Sequence, residues 1–71
     1  MIMWDRVILN LRSAGLRQKD IAARLGVSTR AVQSWVAGDR EPVDYRIVLP
    51  LLTMHYERCP DRHRVEVIGE P

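Results

Sequence analysis

Residues 23–35 read "ARLGVSTRAVQSW" and contain a break between two runs of helical spacing. Apolar side chains recur on both sides of that break, at Leu25, Val27, Val32 and Trp35. Gly26 suits the left-handed backbone that ends a helix, and the Ser28 hydroxyl can accept a hydrogen bond from the first turn of the next one. The stretch therefore predicts two short helices joined by a tight turn.

The same periodicity extends in both directions and predicts an all-α fold. Apolar residues at i, i+3, i+4 and i+7 predict a first helix, and they are Trp4, Val7, Ile8 and Leu11. We expect four helices at about 4–14, 18–25, 29–36 and 44–57. Pro50 lies inside the fourth helix and should kink it or mark its first turn, because proline lacks the N–H of the helical hydrogen bond.

The C-terminal tail is harder to assign. Pro60 is expected to close the fourth helix, and Val65 and Val67 alternate with Glu66 as in a short strand. We expect a domain at 1–58 and a tail at 59–71 that contributes a fifth helix or a β-strand for dimerisation.

Length and composition restrict the class of protein. The chain has 71 residues and one cysteine, so a small core must suffice without an internal disulfide or be shared with a second copy. No apolar run approaches the ~18 residues of a membrane span, and the N-terminus lacks the features of a secretory signal. These observations favour a cytoplasmic protein without a membrane partner.

Charge is distributed unevenly along the chain. Residues 1–40 carry seven basic and three acidic side chains, a net +4, whereas residues 41–71 carry four basic and six acidic ones, a net −2. Such a division indicates that one end of the molecule faces a polyanion.

The window 18–35, "QKDIAARLGVSTRAVQSW", resembles the core of the Cro/repressor-type (XRE-like) helix-turn-helix regulators of phages and bacteria. The matching positions are Gln18, Ala22, Gly26, Val27, Val32 and Trp35, followed by "AGDREP". Ala22 is small where two helices would cross closely. Arg17 departs from the family, which usually has Ser or Thr there as a helix cap, and this loses ~1 kcal/mol of capping.

The resemblance implies that the third helix is a recognition helix in the DNA major groove. Its outward positions match the family's base-reading positions and are Ser28, Thr29, Arg30, Gln33 and Ser34. The Arg30 guanidinium suits guanine O6 and N7, and Gln33 suits adenine N6 and N7. Phosphate contacts are expected from Arg17, Gln18, Lys19 and Arg40.

The fourth helix has two apolar faces. One of them should close the core and comprises Ile47, Val48, Leu51 and Met54. The second, which we call the outer strip, comprises Tyr45, Leu49, Leu52 and Tyr56. A second copy of the chain is an economical partner for it, although Pro50 could instead distort the helix so that both faces serve one core.

Catalysis and metal binding are not favoured by the sequence. His55, Cys59 and His63 recur every four residues, but Pro60 interrupts them and a structural zinc site normally needs four ligands. We find no glycine-rich phosphate loop and no paired carboxylates. The expectation is therefore a protein that is not an enzyme and has no cofactor, metal or small-molecule ligand.

Together these features predict a homodimeric repressor that binds a palindromic operator. The resemblance further implies a regulator of the phage Cro, antitoxin or anti-CRISPR-associated type that controls its own operon. The alternatives are a DNA-positioning subunit of a phage terminase or recombination complex, and a protein-binding adaptor that uses the outer strip.

Overall fold

A computed structural model describes residues 2–69 of the chain, and the described residues are helical throughout with no strand. Five α-helices are followed by one π-helical turn. They are α1 Trp4–Ser13, α2 Gln18–Leu25, α3 Thr29–Ala37, α4 Tyr45–Arg58, α5 Pro60–His63 and the turn Arg64–Ile68. The predicted all-α fold is confirmed, and the expected bounds of the first four helices hold to within one residue at each end.

The core forms where α1 and α2 meet α3. Helix α1 buries the apolar face that its spacing predicts, with Val7, Ile8 and Leu11 fully buried. Helix α3 lies against both α1 and α2, and α4 packs on α1. The other buried apolar residues are Leu16, Ile21, Ala22, Val32, Trp35 and Leu51. Fully burying one Leu, Ile or Val side chain contributes roughly 1.5–3 kcal/mol, so this set accounts for a core without a disulfide.

Pro50 neither ends α4 nor starts it. The helix begins at Tyr45, with Asp44 as its cap, and continues through Pro50 to Arg58. The Pro50 side chain is exposed, so the Arg46 carbonyl that loses its partner N–H lies on the solvent side of the helix, where water can replace the missing bond.

Of the two alternatives for the tail, the strand is wrong and the fifth helix forms. Helix α4 ends at Arg58, before Pro60, as expected, and Pro60 then opens α5 at its first position, where a proline costs no hydrogen bond. Val65 and Val67 then lie in the π-helical turn, in which Val67 packs on the core and Val65 is exposed. Three alternating residues are too weak a pattern to form a strand when the described chain offers no second strand to pair with.

The segment Pro60–Ile68 contacts both α1 and α4. Whether residues 1–58 form a domain of their own stays a prediction. None of the helices described between residues 2 and 69 has the length and hydropathy needed to cross a lipid bilayer.

Candidate nucleic-acid interface

The turn between α2 and α3 forms as its sequence predicts. Gly26 takes a left-handed backbone, with φ 71° and ψ 30°, and the Val27 N–H donates to the Ala22 carbonyl at 3.0 Å. Ser28 then caps α3, because its Oγ accepts a hydrogen bond from the Ala31 N–H at 3.2 Å. A side chain at position 26 would be strained at this positive φ. The two helices are thereby held at a fixed crossing.

Helix α3 has one face in the core and one in solvent. Val32 and Trp35 are buried, whereas Arg30 and Gln33 are exposed. Thr29 and Ser34 are half-buried, and Ser28 is exposed at the helix entry. Within residues 2–69, the side chains of Arg30 and Gln33 have no hydrogen-bond or ion-pair partner. Their donors and acceptors are therefore available to a ligand.

An open groove of about 660 Å³ runs between α3 and the loop that leads to α4. It brings together four of the predicted DNA-contacting residues, namely Ser28, Arg30, Ser34 and Arg40. Thr29 and Gln33 lie on α3 outside the lining of this groove. The loop is fixed at the end of α3 because the backbone N–H groups of Asp39 and Arg40 both donate to the Ser34 carbonyl, at 3.0 and 3.4 Å.

Carboxylates border the same groove, at Asp39, Glu41 and Asp44. These three acids were not among the predicted site residues, although they follow the motif closely in the chain. Asp44 is occupied locally, since its Oδ1 accepts from the Arg46 N–H at 2.9 Å and its Oδ2 pairs with the Arg46 guanidinium at 3.3 Å. These contacts, led by the backbone N–H, lower the pKa of Asp44. The groove therefore mixes basic and acidic side chains, with Arg40 between Asp39 and Glu41 in the chain.

The first turn of α2 holds the other predicted phosphate contacts, Arg17, Gln18 and Lys19. The Arg17 N–H donates to Asp20 Oδ2 at 3.1 Å, and the Arg17 guanidinium lies 3.3 Å from the same oxygen. An arginine side chain has no acceptor, so only half of a capping box forms here. The Arg17 N–H bond is the leading cause that lowers the pKa of Asp20.

Asp20 was not among the predicted site residues. An acid at the third position of a helix is a local signal for this contact, and it supplies the capping that Arg17 does not. Arg17 is therefore shared between Asp20 and any phosphate, whereas Lys19 is exposed without a partner among the described residues.

Three of the four residues of the outer strip of α4 are exposed. Tyr45 is 70% exposed, Leu49 58% and Tyr56 59%, while Leu52 is half-buried. The opposite face reaches the core through Leu51, Ile47 and Met54. One apolar face of α4 thus serves the core and the second faces solvent.

The structure brings His55 and His63 together in the interior and places Cys59 beside them. Across residues 2–69, no group of three or more His, Cys, Asp or Glu side chains is arranged to hold a metal ion.

Residues 6–38 match the homeodomain-like domain family. The matched region covers nearly all of α1 and the whole of α2 and α3. The match covers 33 of the 71 residues and, taken with the turn geometry and the exposed polar face of α3, supports a helix-turn-helix DNA-binding domain. The searches of curated proteins and of solved structures found no match.

Proposed function

We propose that this protein is a sequence-specific DNA-binding repressor, similar to the Cro/repressor type, that acts as a homodimer and is not an enzyme. The observation that carries the proposal is the solvent-facing, unpartnered pair Arg30 and Gln33 on α3. In the major groove, a guanidinium can donate to guanine O6 and N7, and a carboxamide can both donate to and accept from adenine. Thr29 contributes a methyl or hydroxyl group, and Ser28 and Ser34 position the helix.

Phosphate contacts come from the first turn of α2 and from the groove beside α3. Arg17, Gln18 and Lys19 lie where the backbone N–H groups of a helix start also favour an anion. Arg40 shares a groove with Arg30. Asp39 and Glu41 flank Arg40 in the chain and partly offset its positive charge.

The homodimer uses the outer strip of α4. Its residues follow one another at intervals of four, three and four positions, which is the spacing of a seam between two helices. A protomer measures 32 × 23 × 21 Å, and two protomers side by side can reach half-sites about 34 Å apart, one turn of DNA. Two protomers together also bury twice the small DNA surface that one protomer would bury.

The proposed mode of action is occupation of DNA that overlaps a promoter. Control of its own operon fits this mode, because the concentration of the protein would then set the occupancy of its operator.

Selection of bound fragments from a pool of random duplex DNA tests the proposal. We expect enrichment of an inverted repeat whose half-sites are about one turn apart. The variant Arg30→Ala should enrich half-sites that have lost a guanine preference at one position. If no sequence is enriched, although the protein is folded and binds duplex DNA at low salt, the base-reading roles of Arg30 and Gln33 are wrong.

Salt dependence gives a second measurement on the same proposal. Three cations per protomer, at Arg17, Lys19 and Arg40, correspond to a slope of about −5 for the logarithm of the binding constant against that of salt concentration in a dimer. A slope near zero would contradict binding to the phosphate backbone.

A further inference from the structure

A buried polar cluster joins the C-terminal segment to the body of the molecule. His55 and His63 are both buried, and their Nδ1 atoms lie 2.9 Å apart. The Asn10 side-chain amide on α1 lies 3.1 Å from His55 Nε2 and donates a second hydrogen bond to Glu66 Oε2. The cluster therefore connects α1, α4, α5 and the π-helical turn.

The hydrogen bonds fix the protonation state of this cluster. Asn10 Nδ2 donates to the Glu66 carboxylate, so the same NH₂ group must donate its second hydrogen to His55 Nε2. Since His55 Nε2 accepts, the His55 proton lies on Nδ1 and is donated to His63 Nδ1. His63 must then carry its own proton on Nε2. Every contact is satisfied with both imidazoles neutral, and a proton added at His55 Nε2 or at His63 Nδ1 removes one hydrogen bond.

The groups that face the cluster from each packed element do not remove this restriction. Tyr56 on α4 meets the His63 ring edge-on, with the ring centroids 5.5 Å apart, and forms no hydrogen bond with it. Cys59, at the α4–α5 junction, donates from Sγ to the Asn10 carbonyl at 3.5 Å. The Arg62 guanidinium forms an ion pair with Glu66 Oε1 at 3.9 Å, and this is not the carboxylate oxygen that accepts from Asn10. Burial, and then the neighbouring His63, lower the pKa of His55, although Glu66 opposes them. Burial raises the pKa of the Cys59 thiol, with Glu66 adding to the effect and Arg58 opposing it.

The C-terminal segment has few other contacts that could hold it. Of the nine residues from Pro60 to Ile68, six are exposed, and the remaining three are His63, Glu66 and Val67. Two of these three belong to the polar cluster. Loss of the cluster would leave Val67 as the segment's one inward side chain.

We propose that His55, His63, Asn10 and Glu66 form a proton-sensitive clamp, which holds the segment Pro60–Ile68 against α1 and α4 at neutral pH and releases it in mildly acidic solution. The clamp is more stable at neutral than at acidic pH because its hydrogen bonds require both imidazoles to be neutral. The clamp contributes its full stability above the ordinary histidine pKa of about 6.5. It loses that stability as the pH falls from there towards the lowered pKa of His55, because the released state takes up a proton more readily.

Hydrogen exchange of the backbone amides in the full chain, measured by NMR at about pH 7.5 and about pH 5.5 and corrected for the intrinsic exchange rates, tests the clamp. We expect the amides of residues 61–68 to lose protection about tenfold at the lower pH, because a pH of about 5.5 lies about one unit below the ordinary histidine pKa of about 6.5 in the released state. Amides in α1 to α3 should keep theirs. Equal protection of residues 61–68 at both pH values, or a parallel loss across α1 to α3, would overturn the proposal.

The chain contains two histidines, and both lie in the cluster, so a matched variant is available. In His63→Asn, the Asn Oδ1 can accept from His55 Nδ1 as the imidazole nitrogen does, but it does not titrate in this range. We expect this variant to keep the segment closed at neutral pH and to show a smaller pH dependence than the unaltered chain, because burial of His55 remains while the His63 charge, which adds to the lowering of the His55 pKa, is removed. The exposed Asp61→Asn is the control and should behave as the unaltered chain does. A pH response in His63→Asn as large as that of the unaltered chain would contradict the coupling of the two histidines in the clamp.

Nitrogen-15 shifts of the two imidazoles in the unaltered chain provide a readout that needs no variant. At about pH 7.5 we expect His55 protonated on Nδ1 and His63 protonated on Nε2. The opposite tautomer at His55 would contradict the clamp directly.

Discussion

Helices α3 and α4 both bury one apolar face, but their exposed faces differ: that of α3 is polar and that of α4 is apolar. Each buries apolar side chains against α1. Towards solvent, α3 presents a guanidinium, a carboxamide and hydroxyl groups, whereas α4 presents two tyrosines and a leucine. The polar side chains of α3 are well solvated when exposed to water. A row of exposed apolar side chains on one helix, by contrast, indicates a partner. The comparison separates a surface suited to a polyanion from one suited to another apolar helix.

The largest effect is expected on the free energy of unfolding, when the two faces of α4 are compared by substitution. Leu51→Ala removes a fully buried side chain and should lower the free energy of unfolding by about 2–5 kcal/mol. Leu49→Ala, two residues earlier on the exposed face, should change it by less than about 0.5 kcal/mol at concentrations where the protein is monomeric. Urea denaturation followed by circular dichroism measures both. Similar losses in the two variants would show that both faces serve one core.

The next effect belongs to the outer face of α3. Arg30→Ala should weaken binding to the selected operator by about 1–3 kcal/mol while leaving binding to random duplex DNA nearly unchanged. Arg58→Ala removes the same charge from the end of α4 and serves as the control. Fluorescence anisotropy with labelled duplexes measures the affinities. If both variants lose affinity equally on every duplex, Arg30 contributes charge alone.

A smaller effect tests the partner of α4. Leu49→Glu should weaken self-association about tenfold, or ~1.4 kcal/mol, because it places a charge in an apolar seam. Leu9→Glu makes the same change at an exposed leucine of α1 and should leave association unaltered. Sedimentation velocity across a concentration series gives the dimer constant. A chain that stays monomeric at high concentration would leave the outer strip to a different protein.

The smallest effect concerns the start of α2. The lowered pKa of Asp20 means that its contribution to stability is present above the ordinary carboxyl value of 3.8 and is lost as the pH falls through the lowered value. Asp20→Asn should therefore reduce the thermal midpoint slightly at neutral pH and not at all in strong acid. It should also free Arg17 and strengthen binding to random duplex DNA. Weaker non-specific binding in this variant would show that Asp20 positions Arg17 for phosphate instead of competing for it.

The region around the turn was predictable because its signals are local. Gly26 and Ser28 fix the end of α2 and the start of α3 with their own backbone and side chain, so the bounds follow from residue type. Ala22 and Trp35 add the packing pattern, from which the exposure of Arg30 follows.

The C-terminal region was predicted less well because its structure depends on contacts distant in sequence. Val65 and Val67 fit a strand by alternation, and nothing near them in the chain indicates that Glu66 meets Asn10 on α1, 56 residues away. The burial of His55 and His63 likewise depends on contacts with residues distant in the sequence, such as Asn10. The role of Asp20, in contrast, has a local signal.

Titration of the isotopically labelled protein with a short duplex at low salt compares α3 and α4 in one spectrum. We expect the amide shifts to change most along Thr29–Ala37 and in the first turn of α2, with Arg30 and Gln33 among the largest, and to stay nearly unchanged along the outer face of α4. Changes concentrated on Tyr45, Leu49 and Tyr56, with α3 unaffected, would contradict the assignment of α3 as the DNA-binding surface.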